Sequence, residues 1–385
     1  MAKFWRILNG IFTVDFLSDH LSSRKNNYTV IRLLFAIVVM FGHGYALTNY
    51  KHHRVIDPVS KALMLPKSWV GDSVVCGFFF ISGILIVQSY RNRENINAFL
   101  MARVLRIYPG VIVCVLLTSF VIGPFLTKTS VGTYFTSEQL YCHCIRNCFL
   151  YKVDFSLPSL FQNLPNQAPN GSLWTLPLEL RCYGYVALFG LLGLLRKAWR
   201  TNLALAFMVL VGVWRLDLVP LVGEVSMFGR PALFFAAGAF CCVNARFIPL
   251  TAWLMVPLLV IYVISFHTSS LRPLAPVVLT YGILFAAYRL PFIDMDRFGD
   301  FSYGVYIYAF PVQQALNELI QKIGPRTSFA IAFPITFGLA VLSWYYVEKP
   351  ALKMLRGLRD RPALPVVPVN GVSSTPSAAP EPAAM

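Results

Sequence analysis

Long apolar stretches, almost free of charge, recur from residue 30 to residue 347 and are separated by short polar segments. A helix of about 20 residues crosses the hydrocarbon core of a bilayer. The pattern predicts transmembrane helices over 30–49, 70–90, 104–123, 173–195, 201–219, 227–243, 248–266, 272–289, 301–320 and 328–347. Water-soluble packing has no use for so many helices that are apolar all round. The expected fold is therefore all-α and polytopic, with about ten transmembrane helices. The first run follows Arg24 and Lys25 as a signal peptide would, but it is longer than a signal core and no small-residue cleavage site follows.

Three units are expected: a lead-in of some amphipathic character over 1–29, a transmembrane domain over 30–350, and a basic stretch with a tail over 351–385. After Arg361 the chain turns to Pro, Ala, Ser and Val, a composition that cannot bury a core and predicts disorder. Lys and Arg gather on one set of alternate connections, the N-terminus, 91–106, 196–200, 244–247, 290–297 and the C-terminus. The positive-inside rule puts that side, with both termini, in the cytoplasm, so the expected location is the inner (plasma) membrane. The other side is not free of charge, because Lys51, Arg54, Lys61 and Lys67 crowd one external loop. The longest external segment, 124–172, has the length of a functional or disordered loop. No internal repeat supports an inverted-repeat transporter.

Composition sharpens this picture. Of 385 residues 57% are hydrophobic and 13% charged, where soluble domains carry about a quarter charged. The net charge of +16 is that of basic residues anchoring spans to anionic headgroups. No basic stripe interleaved with aromatics is present, which excludes nucleic acid as a partner. Cys76, Cys114, Cys182, Cys241 and Cys242 lie in or beside spans as packing residues. Cys142, Cys144 and Cys148 surround His143 at a spacing that fits no zinc pattern. They read as a disulfide and a spare thiol on an oxidising face, and no metal is expected.

Ionisable groups inside a bilayer are costly and mark function. Arg32 and His43 are 11 residues apart on the first span, three turns and about 20°, so both point the same way about 16 Å apart. Arg32 then lies near the cytoplasmic surface and His43 in the outer half of the membrane. Glu179, roughly 10 Å below the outer surface, matches the depth of His43 and forms with it an acid–base pair. Pro177 breaks helix hydrogen bonding nearby, which suits a cavity. Arg103 and Arg106, at i and i+3, face one direction at the start of the third span. Two guanidiniums at a helix N-terminus grip phosphate.

These residues fall into a series: Arg32 and His43, FFFISG at 78–83, RVLR at 103–106, GSLWTLPLE at 171–179, FGDFSYG at 298–304 and YVEKP at 346–350. The series resembles, in order and over nearly the whole chain, the acyltransferase family 3 membrane proteins. The resemblance implies transfer of an acetyl or other short acyl group from acyl-coenzyme A to a carbohydrate hydroxyl at the cell surface. It assigns function to His43, Arg32, Arg103, Arg106 and Glu179. On this reading the arginines hold the donor, and His43, steadied by Glu179, acts as general base or acyl-accepting nucleophile. Two positions depart from the family: an acidic residue is replaced by Cys76, four residues after Asp72, and a late histidine by Ala309. No appended soluble domain follows, so the membrane domain itself serves the acceptor. The expected partners are acyl-coenzyme A, a carbohydrate acceptor, free or lipid-linked, and membrane lipid, with no permanently bound cofactor. A transporter or flippase of lipid-linked sugar would also use buried Arg, His and Glu, and stands as the alternative.

Overall fold

A helix lies within each predicted span of the computed structural model, which describes residues 10–23, 25–48, 57–62, 70–92, 95–214, 229–265, 274–320 and 322–359. The rest of the chain, including 49, 215–219, 227–228, 266 and 272–273 of those spans, lies outside the described residues. The helices are α1 Tyr28–Thr48, α2 Val70–Arg91, α3 Ile96–Leu117, α4 Thr175–Leu191, α5 Ala198–Trp214, α6 Gly229–Val243, α7 Ala252–Ser265, α8 Ala275–Tyr288, α9 Ser302–Leu319 and α10 Pro325–Ser343. By length and composition α1, α2, the run Ile96–Leu126 that begins with α3, and the run Pro325–Met354 that begins with α10 are able to cross a membrane. Apolar segments of α5 to α8 are shorter. Their outward side chains, such as Phe207, Leu210, Phe240 and Trp253, are exposed, as suits contact with lipid rather than water.

Helices α2 and α6 cross where each carries a glycine. A Cβ on Gly83 would fall 2.1 Å from the carbonyl oxygen of Phe235, and one on Gly238 would fall 2.1 Å from that of Phe80. Small residues let helix backbones meet, which drives association in lipid. Gly83→Val should force the pair apart at a cost of about 3 kcal/mol, read as a lower melting temperature in detergent. Gly184→Ala, where a Cβ meets nothing within 4 Å, is the control that should leave melting unchanged or slightly raised.

The lead-in is docked. Asp15–Phe16 (β1) pairs antiparallel with Pro249–Leu250 (β2). Leu17 is fully buried, Arg289 bonds Asp15 and the carbonyl of Thr13, and Gln88 donates to the carbonyl of Leu21. Asn27 is tied to Ala286 and Ile293. Parts of the lead-in, of 244–247 and of 290–297, predicted on one side, therefore meet at one face of the bundle together with the ends of the adjoining spans. Arg326 bonds Tyr45, Gln314 bonds the carbonyls of Asn166 and Ala168, and Lys128 pairs with Glu318, all at the opposite face.

The long external segment is folded. Helices Val131–Thr136 and Glu138–Phe149 close over Tyr134, Leu140, Leu157, Leu160 and Phe161. The hydroxyl of Tyr134 donates to the carbonyl of Ser119 at 2.7 Å, inside a π turn over Thr118–Ile122; such an insertion is a usual cause of a π turn. His143 is buried against Asn147, and burial lowers its imidazole to about 4. The expected disulfide is not formed, because Cys142, Cys144 and Cys148 are free thiols along one helix. Among the described residues no cluster of His, Cys, Asp or Glu is arranged to hold a metal. Beyond α10 the chain continues as a helix over Lys349–Arg359. Lys51, Arg54, Lys67 and the tail expected to be disordered lie outside the described residues.

Candidate active site

A turn before α9 builds the first layer of the site. Gly299 has φ of +129°, and a Cβ there would fall 2.1 Å from Nε1 of Trp344, so only glycine fits. The turn delivers Asp300, whose Oδ1 accepts from the amide and hydroxyl of Ser302. Its Oδ2 accepts from Arg32 at 2.8 Å and from Arg106 at 2.5 Å. Burial raises the Asp300 carboxyl, but the guanidiniums of Arg32 and Arg106 and the bonds from Ser302 outweigh it and hold the group at about 2. Arg106 also reaches Glu348 at 3.4 Å. Glu348 is 1% exposed, accepts from Ser343 at 3.0 Å, and closes a π turn over Trp344–Glu348.

Arg103 and Arg106 are not placed as their spacing suggested. α3 begins at Ile96, with Asn95 accepting from the amide of Ala98 as its cap. Both arginines are thus two to three turns inside the helix, away from its N-terminal dipole, because good helix formers from Ala98 to Ala102 extend α3 ahead of Arg103. They also diverge. Arg103 lies over the rings of Phe99 and Tyr183, at 5.8 Å and 5.9 Å, while Arg106 turns to the two carboxylates. Pro177, expected to interrupt α4, sits in its first turn, where its missing N–H costs nothing.

The next layer is a cavity of ≈ 50 Å³ lined by Arg32, Phe78, Ser82, Thr175, Glu179 and Tyr306. It admits a few water-sized groups, not a nucleotide. Oε1 of Glu179 accepts from Ser82 at 3.2 Å and from Tyr183. Thr175 and Tyr306 share a hydrogen bond of 2.8 Å across the wall. Phe78 packs edge-on against Phe35 and Tyr306.

His43 forms the third layer. Its ring meets Phe310 edge-on at 5.1 Å, and Phe310 lies against Gly171, where a Cβ would fall 2.5 Å from the ring. Glu179 is eight residues beyond Gly171, about 12 Å along the backbone. Phe310, which His43 meets, is one helical turn beyond Tyr306, which lines the cavity together with Glu179. Arg32, Tyr306 and Phe310 trace the same axis along α1 and α9. Of the two departures, Ala309 packs with Met40, Val312 and Ala332, and Cys76 is buried.

Asp300, Glu348 and Tyr183 had no assigned role in the sequence. Asp300 and Glu348 stand at the polar edges of spans, where a carboxylate looks like an ordinary boundary residue. Only the packing of α1, α3, α9 and the π turn after α10 brings them onto the arginines.

The Acyltransferase domain family matches residues 26–345, most of the chain. An "O-acetyl transferase" of Shigella phage Sf6 is 28% identical over 344 residues, 85% of this chain and 96% of that protein. "Nodulation protein 10" of Rhizobium leguminosarum bv. viciae is 26% identical over 372 residues, 89% of this chain and 98% of that protein. No solved structure matches. From the span of that match and the three-layered site it covers, the chain belongs to the membrane-bound acyltransferase family 3.

Proposed function

We propose that this acyltransferase moves an acetyl or other short acyl group from acyl-coenzyme A to a hydroxyl of a cell-surface carbohydrate. On this reading it works across an inner membrane, with about ten transmembrane helices and both termini in the cytoplasm. The observation that carries this reading is the axial order of the site. Guanidiniums lie at one end, a narrow polar cavity in the middle, and His43 about 16 Å from Arg32 along α1. A donor with charged phosphates and a thioester at the far end of a long arm matches that order.

In this reading Arg32, Arg103 and Arg106 receive the phosphates, which guanidinium groups bind with charge-assisted bonds. The arm passes Ser82, Tyr306 and Glu179, and Glu179 orients the hydroxyls of Ser82 and Tyr183 along its path. His43 takes the proton of the sugar hydroxyl as that oxygen attacks the thioester carbonyl. The carbon–sulfur bond then breaks, the ester forms, and coenzyme A leaves as thiolate and collects the proton from the imidazolium.

Mass spectrometry of surface glycans tests the function. Deleting the gene should remove an increment of one acyl group per modified sugar and leave the glycan length unchanged. Loss of whole glycan from the surface would instead show a flippase. In purified protein, Arg103→Ala should raise the apparent KM for acyl-coenzyme A about tenfold, the worth of one charge-assisted contact. High donor concentration should restore most of the rate.

A further inference from the structure

A second cavity lies on the side of α1 away from His43. It is an apolar groove of ≈ 910 Å³ whose walls include Leu34, Val38, Val59, Phe234, Tyr262 and Val277, from five helices and the short helix Pro58–Ala62. This volume is at the upper end of ordinary ligand sites. Asp72 and Ser73 supply part of its small polar lining. A separate pocket of ≈ 580 Å³ opens at the face that carries Gly324–Thr327, and it is lined by Tyr45, Lys61, Arg326 and Thr327 among others. Its lining holds two cations and no carboxylate.

The two cavities share two walls, α1 and the short helix Pro58–Ala62. Leu34, Val38 and Tyr45 follow one another at four and seven residues, the spacing of a single helix face. The step from Val38 to Tyr45 is about 10 Å. The short helix Pro58–Ala62 belongs to both, with Val59 in the groove and Pro58 and Lys61 at the pocket. It is pinned there by Asp57, which accepts from Ser60 and from the amide of Val70 at the start of α2. Arg326 sits in the first turn of α10, where unbonded backbone amides favour an anion, and its Nε donates to the hydroxyl of Tyr45 at 3.4 Å.

We infer that this composite site holds a phosphate-bearing lipid, the hydrocarbon chain in the groove and the phosphate between Lys61 and Arg326, and that this lipid carries the acceptor sugar. A groove lined by apolar side chains inside the membrane selects hydrocarbon. A pair of cations at its outer end selects the phosphate that joins chain to glycan. A sugar held by that phosphate extends over the end of α1 toward His43, roughly a helix diameter away. The inference rests on the proposed transfer to carbohydrate and names the form in which the carbohydrate arrives.

The test uses purified full-length protein and two acceptors, a glycan joined by diphosphate to a prenyl chain and the same glycan released from its lipid. The double variant Lys61→Ala, Arg326→Ala should raise the apparent KM for the lipid-linked acceptor about tenfold or more and leave transfer to free glycan unchanged. Val38→Trp, which fills the groove, should do the same without touching a charge. Equal losses with both acceptors, or no loss with either, overturn the inference while leaving acyl transfer intact. Competition by phosphatidylglycerol vesicles as effective as by the prenyl diphosphate would make this a site for bulk lipid, and would also overturn it. The proposed function fails separately, if wild-type protein acylates neither acceptor.

Discussion

His43→Ala is expected to abolish acyl transfer while leaving acyl-coenzyme A binding within about twofold of wild type, since a group needed only in the transition state changes rate and not ground-state affinity. On the proposed reading the donor's phosphates bind at Arg32, Arg103 and Arg106, of which Arg32 lies about 16 Å from His43 along α1, so truncating the imidazole removes no contact to them. His43 meets Phe310 edge-on at 5.1 Å, and losing that ring contact costs about 1 kcal/mol. The loss of rate should be at least about a hundredfold, the usual worth of a positioned base. Labelled donor binding and transfer, measured on one monodisperse sample, separate the two quantities. Near-normal transfer would make His43 a packing residue. Glu179→Gln should lose less, because it keeps an acceptor for Ser82 and Tyr183.

The helices were legible because a bilayer demands long runs without charge, a signal independent of how the helices pack. Ends were less legible where a charged residue such as Arg103 interrupts an apolar helix. Hydropathy therefore starts the third span at 104, whereas its cap is Asn95. That shift of two turns removed the helix-dipole argument for Arg103 and Arg106. The 11-residue spacing of Arg32 and His43 was enough to predict a common face, since a single helix fixes both. The relative depth of His43 and Glu179 spans two helices and depends on how their ends are set; ahead of α4, Gly171 lies in a 3-10 turn against Phe310 of α9. The carboxylates of Asp300 and Glu348 were invisible for a related reason: their meaning lies in arginines 268 and 242 residues away.

Asp300→Ala should be the most damaging substitution outside His43, and mainly to stability. One carboxylate oxygen serves both Arg32 and Arg106, whose side chains are 25% and 17% exposed. Removing it leaves two guanidiniums side by side with Glu348 as the counter-charge on one of them, and breaking such a buried pair costs about 3–5 kcal/mol. A fall in melting temperature should therefore accompany the loss of transfer, unlike His43→Ala. Adding acyl-coenzyme A, whose phosphates replace the missing charge, should recover part of the melting temperature. Position and charge are separated by Asp300→Asn, which keeps an acceptor for Ser302 but not the charge. Its defect combined with Arg32→Gln should be smaller than the sum of the two, with a coupling of about 1–3 kcal/mol. Additive effects would show that the Arg32–Asp300 contact does not stabilise the fold. The sign with pH follows from the direction of the shift. A carboxyl held at about 2, below its unfolded value of about 4, contributes stability that is fully present above that unfolded value. It is lost only as pH falls toward 2. Between pH 5 and 8 the melting difference between wild type and Asp300→Asn should therefore stay constant, and a difference that disappeared toward pH 5 would show that the two arginines do not hold this carboxyl ionised.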